Sequence, residues 1–134
     1  MTAPEKYLIV FLRITAILLM AAAGAVVMPY ASMNAVHDWL GLGTLPDQPM
    51  VAYLTRSLSA LYAVIGVWCW LVSREPARYR ALLEQTVRLS FVFSVILILI
   101  DILAEMPKWW TLSETAFVLG WTLIFWRLVR RARA

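Results

Sequence analysis

The sequence has very little cysteine, histidine or charge. It contains one cysteine, Cys69, and one histidine, His37, among 134 residues. A single cysteine cannot form an internal disulfide or a CxxC redox site. The chain is therefore not one of the four-helix thiol oxidoreductases of membranes. A single histidine excludes bis-histidine haem ligation within the chain, and no other nitrogen or sulfur ligand is placed to complete a zinc site. We therefore expect no cofactor and no bound metal.

Charged residues make up only 15% of the chain, whereas hydrophobic residues make up 63%. A soluble domain is usually about 45–50% apolar, so this chain has more apolar side chains than a core of its size could hide. Four runs have the roughly 20 residues that a membrane helix needs. They cover about 7–28, 50–72, 80–103 and 111–129. The sequence predicts one all-α domain over 1–134, an integral membrane four-helix up-down bundle.

Prolines and capping patterns mark the predicted helix ends. Short connections between the spans make successive helices antiparallel neighbours. Thr111 and Glu114 have the spacing of a capping box, which predicts that the fourth helix starts there. In the long loop between the first two spans, Ser32 can cap a helix and Gly41 can end it. We expect a short amphipathic helix over about 32–40, with His37 on its apolar face.

The distribution of Lys and Arg predicts the orientation in the membrane. The loop 29–49 contains no Lys or Arg. By the positive-inside rule, both termini lie in the cytoplasm. Attraction to anionic headgroups explains the basic residues better than nucleic acid does. The expected partners are therefore membrane lipids, with membrane proteins or further copies of the chain also possible, and no nucleic acid. The basic residues that indicate the cytoplasmic side include Arg74, Arg78 and Arg80 in the second loop and Arg130, Arg131 and Arg133 in the tail.

Ionisable side chains inside a span are costly, so each should have a partner. Arg56 lies near the outer end of the second span and Asp101 near the outer end of the third. Both occupy stripes of small or polar residues that suit the interior of a bundle. We predict that Arg56 pairs with Asp101, either as a structural ion pair that fixes helix register or as part of a ligand site. The candidate ligand-binding residues are Arg56, Asp101, Glu105, His37 and Glu114.

A second group of charges lies toward the cytoplasm. Arg13 in the first span is level with Glu84 and Arg88 in the third. Glu84 precedes Arg88 by four residues, the favourable order for an ion pair on one helix. Arg13 can join Glu84 or extend toward the inner headgroups. We interpret this group as structural ion pairs.

The second span also carries a family resemblance. The segment RSLSALYAVIG, from Arg56 to Gly66, is followed by a short basic hairpin and two more apolar helices. This pattern resembles the DoxX-like group of small four-helix bacterial membrane proteins. The resemblance implies a four-helix membrane fold and, for some members, an association with respiratory quinone-linked membrane complexes. It transfers no catalytic residue to this chain.

The sequence shows no catalytic signature. GxSxG, HExxH and phosphate-cradling loops are missing from it, and no nucleophile, base and acid form a recognisable set. The leading hypothesis is a non-catalytic protein of a bacterial inner membrane that acts as an accessory or scaffold subunit of a membrane complex, so an enzyme is the less favoured interpretation. One alternative is a protein that binds a small molecule, lipid or quinone in an outward-facing polar pocket. Another is a small oligomeric transporter.

Overall fold

A computed structural model describes residues 2–132, in which all regular secondary structure is helical. Four segments are long and apolar enough to cross a membrane: residues 3–26, α4, α5 and α6. The all-α prediction, with four spans and a short helix in the first long loop, is therefore confirmed, and the chain is a multi-pass membrane protein. Arg133 of the basic tail lies outside the described residues. The helices are α1 (Ala3–Ala21), α2 (Ala23–Val26), α3 (Tyr30–Trp39), α4 (Pro49–Val72), α5 (Arg80–Leu103) and α6 (Lys108–Arg131).

The chain forms two compact units. The first combines the N-terminal segment through Phe11 with the chain from Ser73 onward, and the second is Leu12–Val72. The helix α1 therefore contributes residues to both units. The assignment of residues 1–134 to a single domain stays a prediction.

The first unit is built around the helical hairpin of α5 and α6, which pack side by side and are joined by residues 104–107. Phe11 adds an aromatic contact, because its ring lies 4.7 Å from the ring of Trp121 and 5.6 Å from that of Phe125. At one end of the hairpin, the guanidinium of Arg80 donates to the carbonyl of Ala132 and satisfies a group left open by the end of α6. The buried apolar side chains of this unit are Leu8, Leu83, Val87, Phe125 and Val129.

Hydroxyl groups on α5 are satisfied within the helix itself. Thr86 donates to the carbonyl of Leu82, Ser90 to that of Thr86, and Ser94 to that of Ser90, each at 2.8 Å. This bond to the preceding turn lets a hydroxyl lie in an apolar setting without an external partner. Ser94 is only 2% exposed. The predicted inward orientation of the polar stripe on α5 agrees with this burial.

The second unit depends on a close approach at Gly66 of α4. A Cβ placed on Gly66 would lie 2.8 Å from the carbonyl oxygen of Ala16 and 2.8 Å from the backbone nitrogen of Met20. Ala16 is fully buried. Small residues allow helix backbones to approach this closely in membranes, where dispersion contacts drive packing. The small-residue stripe of the second span thus has a packing role at Gly66.

The first span is less regular than predicted. We expected one helix over about 7–28, but α1 ends at Ala21 and a short α2 follows. The amide of Ala22 donates to the carbonyl of Leu19, and that of Ala25 donates to the carbonyl of Ala22. These bonds join residues three apart, whereas α-helical bonds join residues four apart. This tighter winding occurs in the run AAAGA, where Gly24 favours the helix less and no large side chain packs to hold regular geometry.

Two predicted helix starts are wrong. The helix α3 begins at Tyr30 rather than after Ser32, and α6 begins at Lys108 rather than at Thr111. Each follows a proline, Pro29 or Pro107, in an extended conformation, whose carbonyl accepts the first helical bonds. Because proline has its φ fixed and needs no hydrogen-bond partner for its nitrogen, it can begin a helix without a side-chain cap.

Substitution of Gly66 by alanine should destabilise the protein. The added Cβ would press on backbone atoms of α1, and overpacking of this kind costs about 1–3 kcal/mol. Gly120 of α6 is the matched control, because a Cβ there meets no atom within 4 Å. Gly120→Ala should be neutral or stabilising by up to about 1 kcal/mol. Thermal unfolding in detergent would check both, and equal effects would contradict the close approach.

Candidate functional site

A cavity of about 310 Å³ lies where α5 ends and α6 begins. We call it the Asp101 cavity. Its lining combines charged side chains with apolar ones, and all of them belong to the first compact unit. The volume lies at the lower end of the range of small-molecule sites. The lining residues are Asp101, Ile102, Glu105, Met106, Lys108, Thr111 and Leu112.

The carboxyl group of Asp101 is buried without full satisfaction. The residue is only 6% exposed, and among residues 2–132 nothing forms a hydrogen bond with its Oδ2. The serines of α5 avoid this problem by donating to their own helix, but a carboxylate accepts only. An unsatisfied buried polar atom costs about 1–3 kcal/mol, and more when charged. No hydroxyl or amide of its own helix supplies the donor that Oδ2 of Asp101 lacks.

Glu114 of α6 lies against this carboxyl group. Its side chain interacts with the carboxyl of Asp101 and with the side chain of Trp110, one turn earlier on α6. The predicted role of Glu114 in a capping box is wrong, because α6 starts at Lys108, three residues before Thr111, which leaves both residues of the pattern inside the helix. Since indole N–H only donates, Trp110 serves as a donor to Glu114. Two carboxyl groups in contact need a proton or a cation between them.

Glu105 has an unusual backbone conformation beside the same cavity. Its φ is +52°, and it is the only described non-glycine residue of 2–132 with a positive φ. Its amide donates to Ile102 at 3.2 Å, and the amide of Met106 donates to Asp101 at 3.0 Å. This pair of bonds is the Schellman ending of a helix, which usually places glycine at this position. The left-handed conformation costs a residue with a Cβ about 1–2 kcal/mol.

His37 takes part in the fold of the first long loop. Its Nδ1 lies 2.7 Å from the carbonyl oxygen of Gly43. A carbonyl only accepts, so Nδ1 must carry the hydrogen. The amide of Leu45 donates to Oδ1 of Asn34 at 2.7 Å, and the hydroxyl of Tyr30 donates to the carbonyl of Leu45. These bonds hold the loop against α3, and any ligand role of His37 stays a prediction.

Two arginines of the second unit, Arg56 and Arg13, interact with other residues of that unit. Nη2 of Arg56 donates to the carbonyl of Met28 at 3.4 Å. The guanidinium of Arg13 lies 5.4 Å from the ring centre of Trp70. The predicted pairs Arg56 with Asp101 and Arg13 with Glu84 each join residues of different units, and both stay predictions.

A second cavity, of about 300 Å³, lies along the same hairpin nearer its other end. We call it the Arg88 cavity. Glu84 and Arg88, which the sequence grouped together, both line it, and their mutual ion pair stays a prediction. The aromatic lining was missed, because the pairing of α5 with α6 decides which residues meet there. The lining residues are Glu84, Val87, Arg88, Phe91, Trp126, Val129 and Arg130.

The structure therefore brings together Asp101, Glu105 and Glu114 from the predicted ligand set. It adds Lys108, Met106 and Leu112, which sequence reasoning missed because the position of the turn at 104–107 decides their placement. Two carboxylates and one ammonium leave the lining with one excess negative charge. Within the described residues, no three His, Cys, Asp or Glu side chains form a group that could hold a metal ion.

No family model, curated protein or solved structure matches the chain. The likeness to the DoxX-like group thus depends on the layout of the spans and on the residues from Arg56 to Gly66.

Glycine at position 105 should stabilise the protein. Glu105→Gly removes the Cβ from a left-handed residue and should raise the unfolding free energy by about 1 kcal/mol. Glu105→Ala is the control, because it removes the charge but keeps the Cβ, and it should give no such gain. Thermal unfolding of the three proteins in one detergent would check this. Equal gains would mean that the charge, rather than the backbone, causes the cost.

Proposed function

We propose that this multi-pass membrane protein binds a small amphiphilic ligand in the Asp101 cavity and catalyses no reaction. The observation that carries the proposal is the buried Asp101 carboxyl, whose Oδ2 has no hydrogen-bond donor within residues 2–132. A ligand with a donor group would supply what the protein lacks. Perturbed or unsatisfied ionisable groups beside a cavity are a common mark of binding sites.

The chemistry of the lining favours a cationic donor. The lining has two carboxyl groups, Asp101 and Glu105, and one ammonium group, Lys108, so its net charge is −1. Glu114 adds a further carboxyl group next to Asp101. An ammonium group donates to several carboxyl oxygens at once. The apolar side chains of Ile102, Met106 and Leu112 suit a hydrocarbon arm. An oxidised quinone offers acceptors only, so this cavity suits an organic amine better than the quinone that the family resemblance implies.

The proposal includes a location. We place the protein in a bacterial inner membrane with both termini in the cytoplasm. The support is the basic loop 73–79 and the basic end of α6, against a first long loop that has no Lys or Arg. In this orientation the Asp101 cavity opens toward the outside of the cell. A ligand would then reach it without crossing the membrane.

A second candidate function is that of an accessory subunit of a membrane complex. The exposed apolar surface of α4 supports this function, since only 6% of the most apolar stretch of α4 is buried. Lipid or the helices of a partner protein would cover that surface. Membership of the DoxX-like group remains part of this second proposal. The two functions are compatible, because an accessory subunit can also carry a ligand.

An organic cation should bind more tightly than its neutral or anionic analogues, and Asp101 should be required. We expect phenethylamine to bind better than 2-phenylethanol, and 3-phenylpropionate to bind worst. Asp101→Asn should weaken amine binding at least about tenfold, since removal of one partner from a buried charge pair is costly. Tryptophan fluorescence of the purified protein would report binding, because Trp110 contacts Glu114.

The matched control for this experiment is Asp47→Asn, which makes the same chemical change at an exposed loop residue. It should leave the amine affinity unchanged. Tightest binding of the carboxylate would overturn the proposal, as would an Asp101→Asn variant with wild-type affinity for the amine.

The orientation can be tested with single cysteines in a Cys69→Ala background. Gln48→Cys and Ala77→Cys lie at exposed positions in the two loops that are predicted to face opposite sides. In intact spheroplasts, a membrane-impermeant maleimide should label the cysteine at 48 and reach the one at 77 only after lysis. The reverse pattern would show that the charge distribution has been misread.

A further inference from the structure

The Arg88 cavity has two chemically different parts. Arg88 of α5 and Arg130 of α6 supply cationic groups, while Val87, Phe91 and Val129 supply apolar ones. The α5 residues extend from Glu84 to Phe91, about 10 Å along the helix axis. Val87 and Val129 are buried, so Phe91 and Trp126 are the apolar residues of the lining that a lipid chain can reach from outside. The cationic and apolar parts of the cavity thus follow one another along the helix axis, as the headgroup and the acyl chain do in a membrane lipid.

The charges of the lining favour an anion. Two arginines and one glutamate leave a net charge of +1. The guanidinium of Arg130 lies 5.1 Å from the ring centre of Trp126. A guanidinium held against an aromatic ring still presents N–H groups at its edge, and two such groups fit two phosphate oxygens. Arg130 is therefore partly preorganised as a phosphate donor.

The depth of Arg88 supports the same conclusion. It lies eight residues into α5, about 12 Å from the helix end at Arg80. A charged side chain at this depth is costly unless it reaches the headgroup region or an ionic partner. An anionic headgroup at the mouth of the cavity would give Arg88 a partner in addition to Glu84, which lines the same cavity, while its acyl chain covers Phe91.

We propose that the Arg88 cavity is a binding site for one anionic phospholipid, with the phosphate held by Arg88 and Arg130. Free phosphate would use only the cationic part and leave Phe91 and Trp126 uncovered. A zwitterionic lipid carries its own cation, which the net positive lining opposes. The site is distinct from the Asp101 cavity, since Phe91 and Asp101 are ten residues, about 15 Å, apart on α5.

Native mass spectrometry of the full-length protein in detergent would test the site. Dioleoylphosphatidylglycerol and dioleoylphosphatidylcholine would be titrated separately, each with and without inorganic phosphate. We expect the phosphatidylglycerol adduct to form at lower lipid concentration than the phosphatidylcholine adduct. Arg130→Gln should weaken phosphatidylglycerol binding about fivefold, the effect of roughly 1 kcal/mol for one arginine near an anionic headgroup.

Arg74→Gln is the matched control, because Arg74 carries the same charge toward the same side but does not line the cavity. It should change the affinity less than twofold. Equal losses in Arg74→Gln and Arg130→Gln would show general surface attraction and overturn the proposal. So would equal binding of the two lipids. Full displacement of phosphatidylglycerol by millimolar phosphate would also overturn it, because it would identify an ion site rather than a lipid site.

Discussion

A helix that crosses a lipid bilayer has no water to satisfy its polar groups, so each must find a partner inside the protein. On α5 this requirement is met by Thr86, Ser90 and Ser94, whose hydroxyls donate to the carbonyls of the preceding turn. The same solution is closed to Asp101, because a carboxylate has no hydrogen to donate. A donor for Oδ2 of Asp101 can therefore come only from another element or from a ligand, and none is present within residues 2–132.

The turn between α5 and α6 organises the groups around Asp101. The backbone carbonyl of Asp101 accepts from Met106, and this bond requires Glu105 to adopt its left-handed conformation. The helix α6 then begins after Pro107, and its residue Glu114 lies against the Asp101 carboxyl. Nearer the opposite end of the hairpin, Arg88 and Arg130 line a second cavity together with Trp126. The hairpin thus separates acidic and basic cavities along its length, in keeping with one end on each side of a membrane.

Much of this architecture was predictable because it depends on local composition. Apolar runs and flanking prolines placed four spans to within a few residues, and small residues indicated the close packing at Gly66. The predicted start of α6 at Thr111 was wrong. Pro107, which precedes the capping-box pattern of Thr111 and Glu114 in the sequence, begins the helix instead. The left-handed Glu105 could not be predicted, since nothing in the side chain favours it. Both cavities depend on how α5 and α6 pair, which no single helix encodes.

Local stability alone would favour different residues around the Asp101 cavity. Glycine would fit the left-handed position, and a hydroxyl would satisfy itself on α5, as Ser94 does. Instead the hairpin keeps, beside one cavity, a buried carboxyl with an open acceptor at Asp101, a strained left-handed glutamate at position 105, and a second carboxyl, that of Glu114, in contact with Asp101. Departures from local rules that cluster in this way are typical of functional sites. A merely structural helix end would gain nothing from three such costs together, whereas a ligand that donates to the carboxyl oxygens would offset the two costs that come from the carboxyl groups.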